Sequence, residues 1–376
     1  MPSLSIVMPS MNEEETIRTC IEKAHTVFNK YGIEGEVIVA DNSSDRTAEI
    51  AASMGAKVLG PIKGYGNAYL TGLAYASGDY IAIADADNTY DLLELPGFLD
   101  PLMKGEADFV IGTRLKGDIK KGAMPWLHQY IGNPLLTGML NLLFKTEISD
   151  AHCGMRAFTK EALENMNLKT HGMELASEMI IEAAKSGLRI KEVPISYYSR
   201  KAPSKLRSFR DGWRHVRFMM LYRPIPFLYL PGAFVFILGF LITTTLLLTG
   251  NAVVNRLHSF ILGSMLLIIG GQILATGGYM KTYGLIHGIY KNNNGSSKKW
   301  LSYHSLEKEL LGGSLILGSG LILGLKVAYN WIISGYGSLE EVESAVISMV
   351  LAAVGFQLIF SAIFVSVMLL DTDADW

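Results

Sequence analysis

The sequence predicts an α/β domain with a mostly parallel sheet, followed by an α-helical membrane domain with four transmembrane helices. Up to about residue 215, short strand-like runs alternate with helical patterns, and from Ile225 onward long apolar stretches dominate. The 376 residues are 49% hydrophobic and only 18% charged, which is too apolar for an ordinary soluble enzyme. We therefore expect a soluble domain over residues 1–199, a basic segment over 200–224 and a membrane domain over 225–370.

The soluble domain begins with a strand-like run, and similar runs recur, at residues 4–9, 36–41, 56–60, 80–85 and 108–114. Helical patterns fill the gaps, at residues 13–29, 45–54, 66–76 and 92–103. Strands that alternate with helices imply βαβ crossovers and a parallel sheet covered on both faces. Ligands of such sheets bind outside the carboxyl ends of the strands. Polar segments follow all five strands, which predicts a binding site at that edge.

The segment YIAIADADNTYD, residues 80–91, contains three carboxylates, Asp85, Asp87 and Asp91, after an apolar run. Two aspartates one residue apart at a strand end can bring oxygens toward a hard cation. Mg²⁺ usually takes one or two carboxylates together with water and substrate phosphates, and Mn²⁺ accepts the same ligands. The alternative is that the carboxylates only keep the strand end soluble. The position after a buried strand favours a site for Mg²⁺ or Mn²⁺.

Four apolar stretches follow the soluble domain, at approximately residues 225–249, 257–280, 311–335 and 344–370. About 20 mostly apolar residues span a bilayer, whereas a stretch of about 10–14 is more often a buried core helix. All four are therefore predicted to be transmembrane helices, and the protein is predicted to be a multi-pass membrane protein.

The loops between these helices predict the orientation. Five lysines lie between the second and third helices: Lys281, Lys291, Lys298, Lys299 and Lys308. The loop between the third and fourth helices has no Lys or Arg. By the positive-inside rule the basic loop is cytoplasmic, so four crossings place the soluble domain and both termini there. We expect no secretory signal peptide in the first residues, which lack a basic region and a long apolar run.

Residues 200–223 carry eight Lys or Arg against one Asp. Trp213 and other apolar residues interleave with Arg210, Arg214 and Arg217, which predicts an interfacial helix in the headgroup layer. Two interpretations stay open. The segment could only anchor the chain to an anionic surface, or it could also guide a lipid phosphate to the site.

At this point the motifs resemble a known family. SIVMPSMNEEETI, VIVADNSSDRT, KGYGNAYLTG and DYIAIADAD come in the order and spacing of inverting family 2 glycosyltransferases with the Rossmann-like GT-A fold. DFVIGTR, DAHCGMRAF and GLRIKEVPISYYSRKAPSKL, followed by membrane helices, are similar to the dolichyl-phosphate mannose synthase branch and its polyprenyl-phosphate hexose relatives. The resemblance covers residues 1–210 motif by motif, and the remainder in architecture.

The resemblance implies a role for individual residues. The nucleotide-sugar donor would be bound by Pro9, Asn12, Glu13, Asp41, Lys63 and Asp85. Asp85 and Asp87 would hold the metal ion. The catalytic group would be Asp85, Asp87, Arg114 and Arg156. The acceptor phosphate or diphosphate would meet Arg114, Arg200, Ser204 and Lys205. Asp150, Gly154 and Arg156 match the second signature of the family.

The chain departs from the family at two positions. Thr89 stands where mannose synthases often carry a glutamine as a further metal ligand, and Met11 stands where a tyrosine is usual. Both departures bear on the nucleotide base and on the sugar. Glu174 and Glu178 lie where other family members keep a base, and a sugar contact and a structural role both stay open for them.

The resemblance implies a cytosol-facing membrane enzyme that moves one hexose from a nucleoside diphosphate sugar to dolichyl or polyprenyl phosphate with inversion. GDP-mannose is the first candidate donor, and UDP-glucose the second. The partners would be the donor, the lipid acceptor and the bilayer. No nucleic acid is expected, and a homo-oligomer stays open. Two alternatives are a processive polysaccharide synthase, for which the Q-x-x-R-W motif is missing from the sequence, and a non-catalytic nucleotide-sugar-binding module.

Overall fold

The computed structural model of the chain describes residues 3–201, 208–250, 256–290, 303–336 and 341–369. Two compact units are present, Met1–Phe218 and Met219–Trp376. The first is an α/β domain and the second is helical, as the sequence predicts. Within the predicted basic segment 200–224, residues 202–207 lie outside the described residues, and these include Ser204 and Lys205.

The first unit is built on one sheet of seven strands: β1 (Ser3–Ser10), β2 (Glu34–Asp41), β3 (Lys57–Leu59), β4 (Tyr80–Ile83), β5 (Phe109–Ile119), β6 (Arg156–Thr159) and β7 (Ile190–Tyr197). Their order across the sheet is β3-β2-β1-β4-β6-β5-β7. β6 is antiparallel to both neighbours, β4 and β5, and all other pairs are parallel. The carboxyl ends of six strands therefore lie at one edge.

Helices connect the strands of this sheet: α1 (Ile17–Tyr31), α2 (Thr47–Ser53), α3 (Tyr65–Ala74), α4 (Pro96–Met103), α5 (Asn133–Phe144), α6 (Lys160–Asn165) and α7 (Leu175–Lys185). The helix α8 (Ser208–Tyr222) follows. The central strands read as nearly continuous apolar runs because helices cover both faces of the sheet. Ile6, Ile38 and Ile81, on three adjacent strands, are completely buried.

The five predicted strands are all present, but three details differ. β4 ends at Ile83, two residues before its predicted end, so Asp85 lies on a loop beyond the strand. β5 continues to Ile119 instead of ending at residue 114. β6 and β7 were not predicted. β6 has only four residues, and β7 pairs with β5 alone and mixes polar with apolar residues.

The second unit contains four long helices: α9 (Leu230–Leu248), α10 (Leu257–Ile286), α11 (Tyr303–Ile333) and α12 (Val342–Leu369). Four segments of the described chain are long and apolar enough to cross a membrane, namely Ile225–Leu248, Leu257–Ile286, Glu307–Ile333 and Val342–Leu369.

Glycines allow these helices to approach each other closely. A Cβ atom added at Gly239 of α9 would lie 2.6 Å from the backbone nitrogen of Leu267 in α10, and one added at Gly355 of α12 would lie 2.5 Å from that of Leu317 in α11. In lipid the hydrophobic effect does not drive helices together, so the close packing that small residues allow stabilises the helix pairs instead.

The helix α8 covers part of the predicted basic segment. Trp213 is half exposed, whereas Phe218, Met219 and Tyr222 are buried. Three of the apolar residues expected in the headgroup layer are thus enclosed by protein, because α8 presents one apolar side inward. Its exposed side carries Phe209, which is 90% exposed.

Candidate active site

The predicted site residues gather beyond the carboxyl ends of β1, β2 and β4. Asp41 ends β2 and is buried. Its Oδ1 accepts hydrogen bonds from the hydroxyls of Ser10 at 2.6 Å and Ser43 at 2.5 Å, and its Oδ2 accepts one from the backbone nitrogen of Ser43 at 2.9 Å. Asp41 therefore fixes the turn after β2. Pro9 lies beside it, opposite Ala40 in the ladder between β1 and β2.

Asn12 and Glu13 lie in the loop after β1. Asn12 has φ of 54°, a left-handed conformation that asparagine tolerates better than most residues. Its Oδ1 accepts a hydrogen bond from the backbone nitrogen of Ser44 at 2.8 Å, which ties the first loop to the second. Glu13 is buried and forms an ion pair with Arg200. Lys63, in the loop before α3, is exposed.

Asp85 lies two residues beyond β4 and is held by tyrosines. The hydroxyls of Tyr65 and Tyr69 donate hydrogen bonds to its Oδ1 at 2.9 and 3.2 Å. Burial and the adjacent charge of Asp87 together raise the pKa of Asp85 to about 6, although the two tyrosine hydroxyls favour its charged form. These tyrosines were not among the predicted site residues. Their spacing of four residues in KGYGNAYLTG places both on one face of α3, and this spacing is the signal that could have found them.

Asp87 points its two oxygens to different partners. Its Oδ1 accepts hydrogen bonds from the hydroxyl and the backbone nitrogen of Thr89, at 2.6 and 3.1 Å. Its Oδ2 lies 3.4 Å from Nε of Arg200. Thr89 is only 3% exposed, so it orients the Asp87 carboxylate. This is the position at which the resemblance led us to expect a weak metal ligand.

Arg200 joins two carboxylates. Its Nη2 donates a hydrogen bond to Oε1 of Glu13, while its Nε faces Asp87. The Arg200 side chain is 23% exposed, whereas those of Glu13 and Asp87 are 6% and 11% exposed. The Arg200 guanidinium thus contacts the carboxylates of Glu13 and Asp87 and is also accessible to solvent. We call this region, with Asp85, the opening of the site.

Arg114 forms a buried ion pair with Asp150. Its Nε and Nη2 donate hydrogen bonds to the two Asp150 oxygens at 2.7 and 2.9 Å, and its backbone nitrogen adds a third at 3.1 Å. Burial alone would raise the pKa of Asp150, but the Arg114 charge outweighs it and holds the pKa below its usual range. The Arg114 guanidinium also lies 5.1 Å from the ring centre of Tyr197.

Arg156 begins β6 and is 1% exposed. Its three kinds of nitrogen all donate to backbone carbonyls: Nε to Cys153 at 3.0 Å, Nη1 to Ala176 at 2.7 Å and Nη2 to Ala151 at 3.0 Å. Arg156 therefore closes the turn 150–156, which we call the signature turn, and ties it to the start of α7.

Gly154 of the signature turn lies against Asp85. A Cβ atom added there would lie 2.9 Å from Asp85 Oδ2 and 3.1 Å from the Tyr90 ring, which explains the glycine. The Tyr90 hydroxyl accepts a hydrogen bond from the Gly154 nitrogen at 2.8 Å. His152 of the same turn packs edge-on against His215, with ring centres 4.5 Å apart.

The two glutamates of α7 differ. Glu178 is 1% exposed, and its Oε2 accepts hydrogen bonds from Lys169 and Thr170, so it holds the preceding loop. Glu174 has one buried oxygen without a hydrogen-bond partner among the described residues, above Gly172. Its position leaves the sugar-contact interpretation open, whereas the contacts of Glu178 are structural.

The carboxylates of Asp85 and Asp87 suit a hard divalent cation. They lie close enough for Asp87 to raise the pKa of Asp85, and a cationic guanidinium already lies beside Asp87. Oxygen donors of this type fit Mg²⁺ or Mn²⁺, with phosphates and water filling the shell. Among the described residues, no cluster of three or more His, Cys, Asp or Glu forms a metal site from protein ligands alone.

Comparisons with known proteins agree with the fold and the membrane helices. Residues 5–166 match the model of glycosyl transferase family 2, and residues 278–369 match that of the glycosyltransferase family 2 C-terminal transmembrane region. The chain is 41% identical over 366 residues to the low-salt glycan biosynthesis hexosyltransferase Agl6 of Haloferax volcanii, covering 96% of this chain and 88% of the relative.

A second relative is the dolichyl-phosphate hexose transferase of Haloferax volcanii, which is 34% identical over 212 residues, or 56% of this chain and 89% of the relative. Among solved structures, glucosyl-3-phosphoglycerate synthase of Mycobacterium tuberculosis in complex with Mn²⁺ and UDP has 23% identity and a TM-score of 0.48, covering 58% of this chain and 79% of that one. A likeness this low decides nothing about substrate or metal. The chain belongs to glycosyltransferase family 2, as a multi-pass membrane glycosyltransferase.

Proposed function

We propose that the enzyme transfers one hexose from a nucleoside diphosphate sugar to a dolichyl or polyprenyl phosphate, with inversion at the anomeric carbon. The observation that carries the proposal is the Arg200 guanidinium held between Glu13 and Asp87 beyond the strand ends. A partly exposed cation there can meet an anionic substrate. The dolichyl-phosphate hexose transferase among the relatives supports the lipid phosphate as acceptor.

On the donor side, Asp41 would meet the nucleotide base, and Pro9, Asn12 and Glu13 would line the base and ribose pocket. Asp41 accepts a hydrogen bond from Ser10 at the end of β1, and Asn12 accepts one from Ser44 in the loop after β2, so the two strand ends are tied together. Lys63 would approach the phosphates. GDP-mannose remains the first candidate donor, with UDP-glucose second.

Asp85 and Asp87 would hold Mg²⁺ or Mn²⁺ at the diphosphate. When bound, such an ion stabilises the negative charge of the departing diphosphate. Thr89 keeps the Asp87 carboxylate in one orientation, and Tyr65 and Tyr69 do the same for Asp85. The preorganised carboxylates lower the cost of assembling the donor site.

The acceptor needs no strong base, because a phosphate monoester has a second pKa of about 6 and is mostly a dianion at neutral pH. An acceptor oxygen attacks the anomeric carbon and forms the new carbon–oxygen bond. The bond from that carbon to the diphosphate oxygen breaks on the opposite side, and the nucleoside diphosphate leaves with the electron pair. Arg200 would stabilise the phosphate charge, since its planar fork matches phosphate oxygens.

The other two arginines would act as positioning residues. Arg114 and Arg156 donate their hydrogen bonds to Asp150 and to backbone carbonyls inside the domain. They would hold Gly154 against Asp85 and so shape the site indirectly. Ser204 and Lys205 lie outside the described residues, and their role at the acceptor phosphate stays a prediction.

We further propose that the catalytic domain and both termini face the cytoplasm. The support is that five lysines lie between the second and third membrane helices, whereas the loop between the third and fourth has no Lys or Arg. Of these lysines, Lys281 and Lys308 lie in helices that the structure describes. Protease treatment of right-side-out and inverted vesicles tests this orientation. Digestion of the first unit in inverted vesicles alone is the expected result, and digestion in right-side-out vesicles would contradict it.

The reaction is tested with purified protein, a polyprenyl phosphate and radiolabelled GDP-mannose, UDP-glucose or UDP-N-acetylglucosamine, each with Mg²⁺ or Mn²⁺. We expect one donor to label the organic-solvent phase and EDTA to abolish the label. Label in a polymer would favour the processive synthase instead. If no donor is consumed, the non-catalytic binding module becomes the better interpretation.

Asp87→Ala should reduce transfer about 10³-fold, since Asp87 would hold the ion that stabilises the negative charge of the departing diphosphate. The fold should persist, because the hydrogen bonds that Asp87 accepts come only from Thr89, two residues further along the same loop, among those the structure describes. The assay above measures the rate, and the thermal unfolding midpoint serves as the control. Substantial retained transfer would place the metal elsewhere.

A further inference from the structure

One helical segment of the first unit presents apolar side chains to its surroundings. It begins near Pro125, passes through a π-helical turn at His128–Gly132 and continues as α5. Pro134 has no backbone N–H to donate to the preceding turn, which accounts for the local widening. From Gly122 to Phe144 the sequence contains no Asp, Glu, Lys or Arg.

The exposed side of this segment, which we call the apolar face, consists of Trp126, Leu127, Tyr130, Ile131, Leu135 and Leu142. Their exposures run from 45% at Ile131 to 82% at Leu142, so the face is fully open in the first unit. Positions 127, 131, 135 and 142 recur at helical spacing along one side. A contiguous apolar surface of this kind marks an interaction site rather than a scatter of single exposed residues.

The opposite side of the segment is part of the domain core. Thr137, Leu140 and Phe144 are buried. A helix with one side enclosed by its own domain cannot cross a bilayer alone, but it can lie along the surface of one.

We propose that the apolar face is a docking surface for the lipid bilayer. Two features favour lipid over a second copy of the chain. Trp126 and Tyr130 pack against each other with ring centres 5.9 Å apart, and such amphipathic rings favour the headgroup level. The exposed lysines Lys121 and Lys145 flank the uncharged stretch at its two ends, where anionic headgroups would meet them.

This docking has a consequence for the catalytic domain. The buried side of α5 binds the chain that leads into the signature turn. The Thr137 hydroxyl accepts a hydrogen bond from the Ala151 nitrogen at 3.1 Å, and the Asn141 side chain donates one to the Ile148 carbonyl at 2.8 Å. A bilayer that holds the apolar face therefore also holds the turn that carries Asp150, Gly154 and Arg156 at the membrane surface. This conclusion does not depend on which sugar or lipid the enzyme uses.

The test places spin labels on the full-length protein in vesicles of phosphatidylcholine with phosphatidylglycerol. Leu135→Cys and Leu142→Cys probe the apolar face, Glu49→Cys is the water reference, and Leu241→Cys on the exposed side of α9 is the lipid reference. The two native cysteines, Cys20 and Cys153, are buried, and burial raises the pKa of both thiols to about 12, so they should resist labelling.

Collision with molecular oxygen and with a water-soluble nickel chelate reports the surroundings of each label. We expect the labels at positions 135 and 142 to collide more often with oxygen than with the nickel chelate, as the label at position 241 should. Values like those at position 49 would overturn the proposal. Shielding from both reagents with spin–spin broadening between copies would also overturn it and favour a dimer.

A substitution pair sharpens the test. Leu135→Asp, combined with the label at position 142, should shift that label toward the water reference, because a carboxylate resists insertion into lipid. Tyr31→Asp is the matched control, since Tyr31 is a 49% exposed apolar residue on α1, and it should leave the label unchanged. Equal shifts from both substitutions, or no shift from Leu135→Asp, would contradict lipid docking. Both residues are exposed, so the fold should tolerate each change.

Discussion

The signature turn and the opening of the site differ in how their carboxylates are neutralised. In the turn, the Asp150 carboxylate is paired with Arg114, and this pairing holds its pKa low despite burial. At the opening, burial and then the charge of Asp87 beside it raise the pKa of Asp85 to about 6. The turn satisfies its charges internally and supports the fold, whereas the opening retains negative charge that a cation or a substrate complex can neutralise.

The arginines follow the same division. Arg114 and Arg156 are 7% and 1% exposed and point their donors inward, while the Arg200 side chain is 23% exposed and bridges two site carboxylates. Sequence motifs present Arg114 and Arg200 as phosphate ligands and Arg156 as a catalytic residue. The structure separates two enclosed arginines from one that is partly exposed to solvent. If the proposed roles hold, substitutions should separate them in the same way.

Arg156→Met should have the largest effect on stability. Three backbone carbonyls would lose their donor, and each buried unsatisfied group costs about 1–3 kcal/mol, so we expect a loss of about 3–5 kcal/mol in the free energy of unfolding. Thermal unfolding of the purified protein measures the change. Arg46→Met, which removes an exposed arginine that pairs with the exposed Glu49, should leave the midpoint unchanged. A stable Arg156→Met protein that lacks activity would place Arg156 at the substrate instead.

Arg114→Met should cost about 3 kcal/mol, because it leaves the Asp150 carboxylate buried without its partner. Adding Asp150→Asn removes the unpaired charge while keeping an acceptor for the Arg114 backbone nitrogen. The double variant should therefore be more stable than Arg114→Met alone, by the same thermal measurement. If the second substitution lowers stability further, the ion pair is not the source of the loss.

Arg200→Ala should lower the unfolding midpoint less than Arg114→Met does, because Arg200 is partly exposed, and it should lower transfer about 100-fold, which corresponds to about 2.7 kcal/mol of transition-state stabilisation. Initial rates over a range of donor and acceptor concentrations measure the effect. Arg200→Lys should restore part of the rate, because it returns the charge without the planar fork. The exposed Arg189 forms its ion pair with Asp108, and Arg189→Ala serves as the control. Wild-type rates for Arg200→Ala would remove this residue from the site.

Part of this division could be predicted from sequence. The alternation of strands and helices predicted the α/β domain, and an apolar run ending in Asp85 and Asp87 predicted carboxylates beyond a strand. These inferences depend on neighbours along the chain. The hydroxyls of Tyr65 and Tyr69 approach Asp85 from another element. Their spacing places both on one face of α3, but it does not show that this face meets Asp85.

The apolar face was missed for a related reason. A π-helical turn interrupts the helical period between Trp126 and Leu142, and the stretch is too polar at His128, Gln129, Asn133 and Asn141 to read as a membrane span. Only the structure shows which side of this segment is buried in the domain and which apolar side chains are left exposed. The antiparallel strand β6 was missed as well, because four residues carry too little pattern to distinguish a strand from a loop.

Asp85→Asn should give the smallest change in free energy of these substitutions, and its effect on the free energy of unfolding should depend on pH. The ordinary carboxyl pKa is 3.8 and the folded value is about 6, so between these values the folded state binds more protons than the unfolded state. Stability therefore falls as pH rises through this window, and the penalty is complete above about pH 6. Asparagine removes the charge and keeps an oxygen for Tyr65 and Tyr69. We expect the variant to be about 1–2 kcal/mol more stable than the wild type at pH 7.5 without metal, since a two-unit shift sets an upper limit near 3 kcal/mol.

At pH 4.5 this advantage should shrink, because most of the wild-type Asp85 is then already protonated. Thermal unfolding of both proteins in EDTA at the two pH values provides the comparison, and the exposed Asp100→Asn is the control for a general change in net charge. An advantage of equal size at both pH values would mean that asparagine stabilises the loop by packing and not by removing a charge. In that case the opening would not retain the uncompensated charge that distinguishes it from the signature turn.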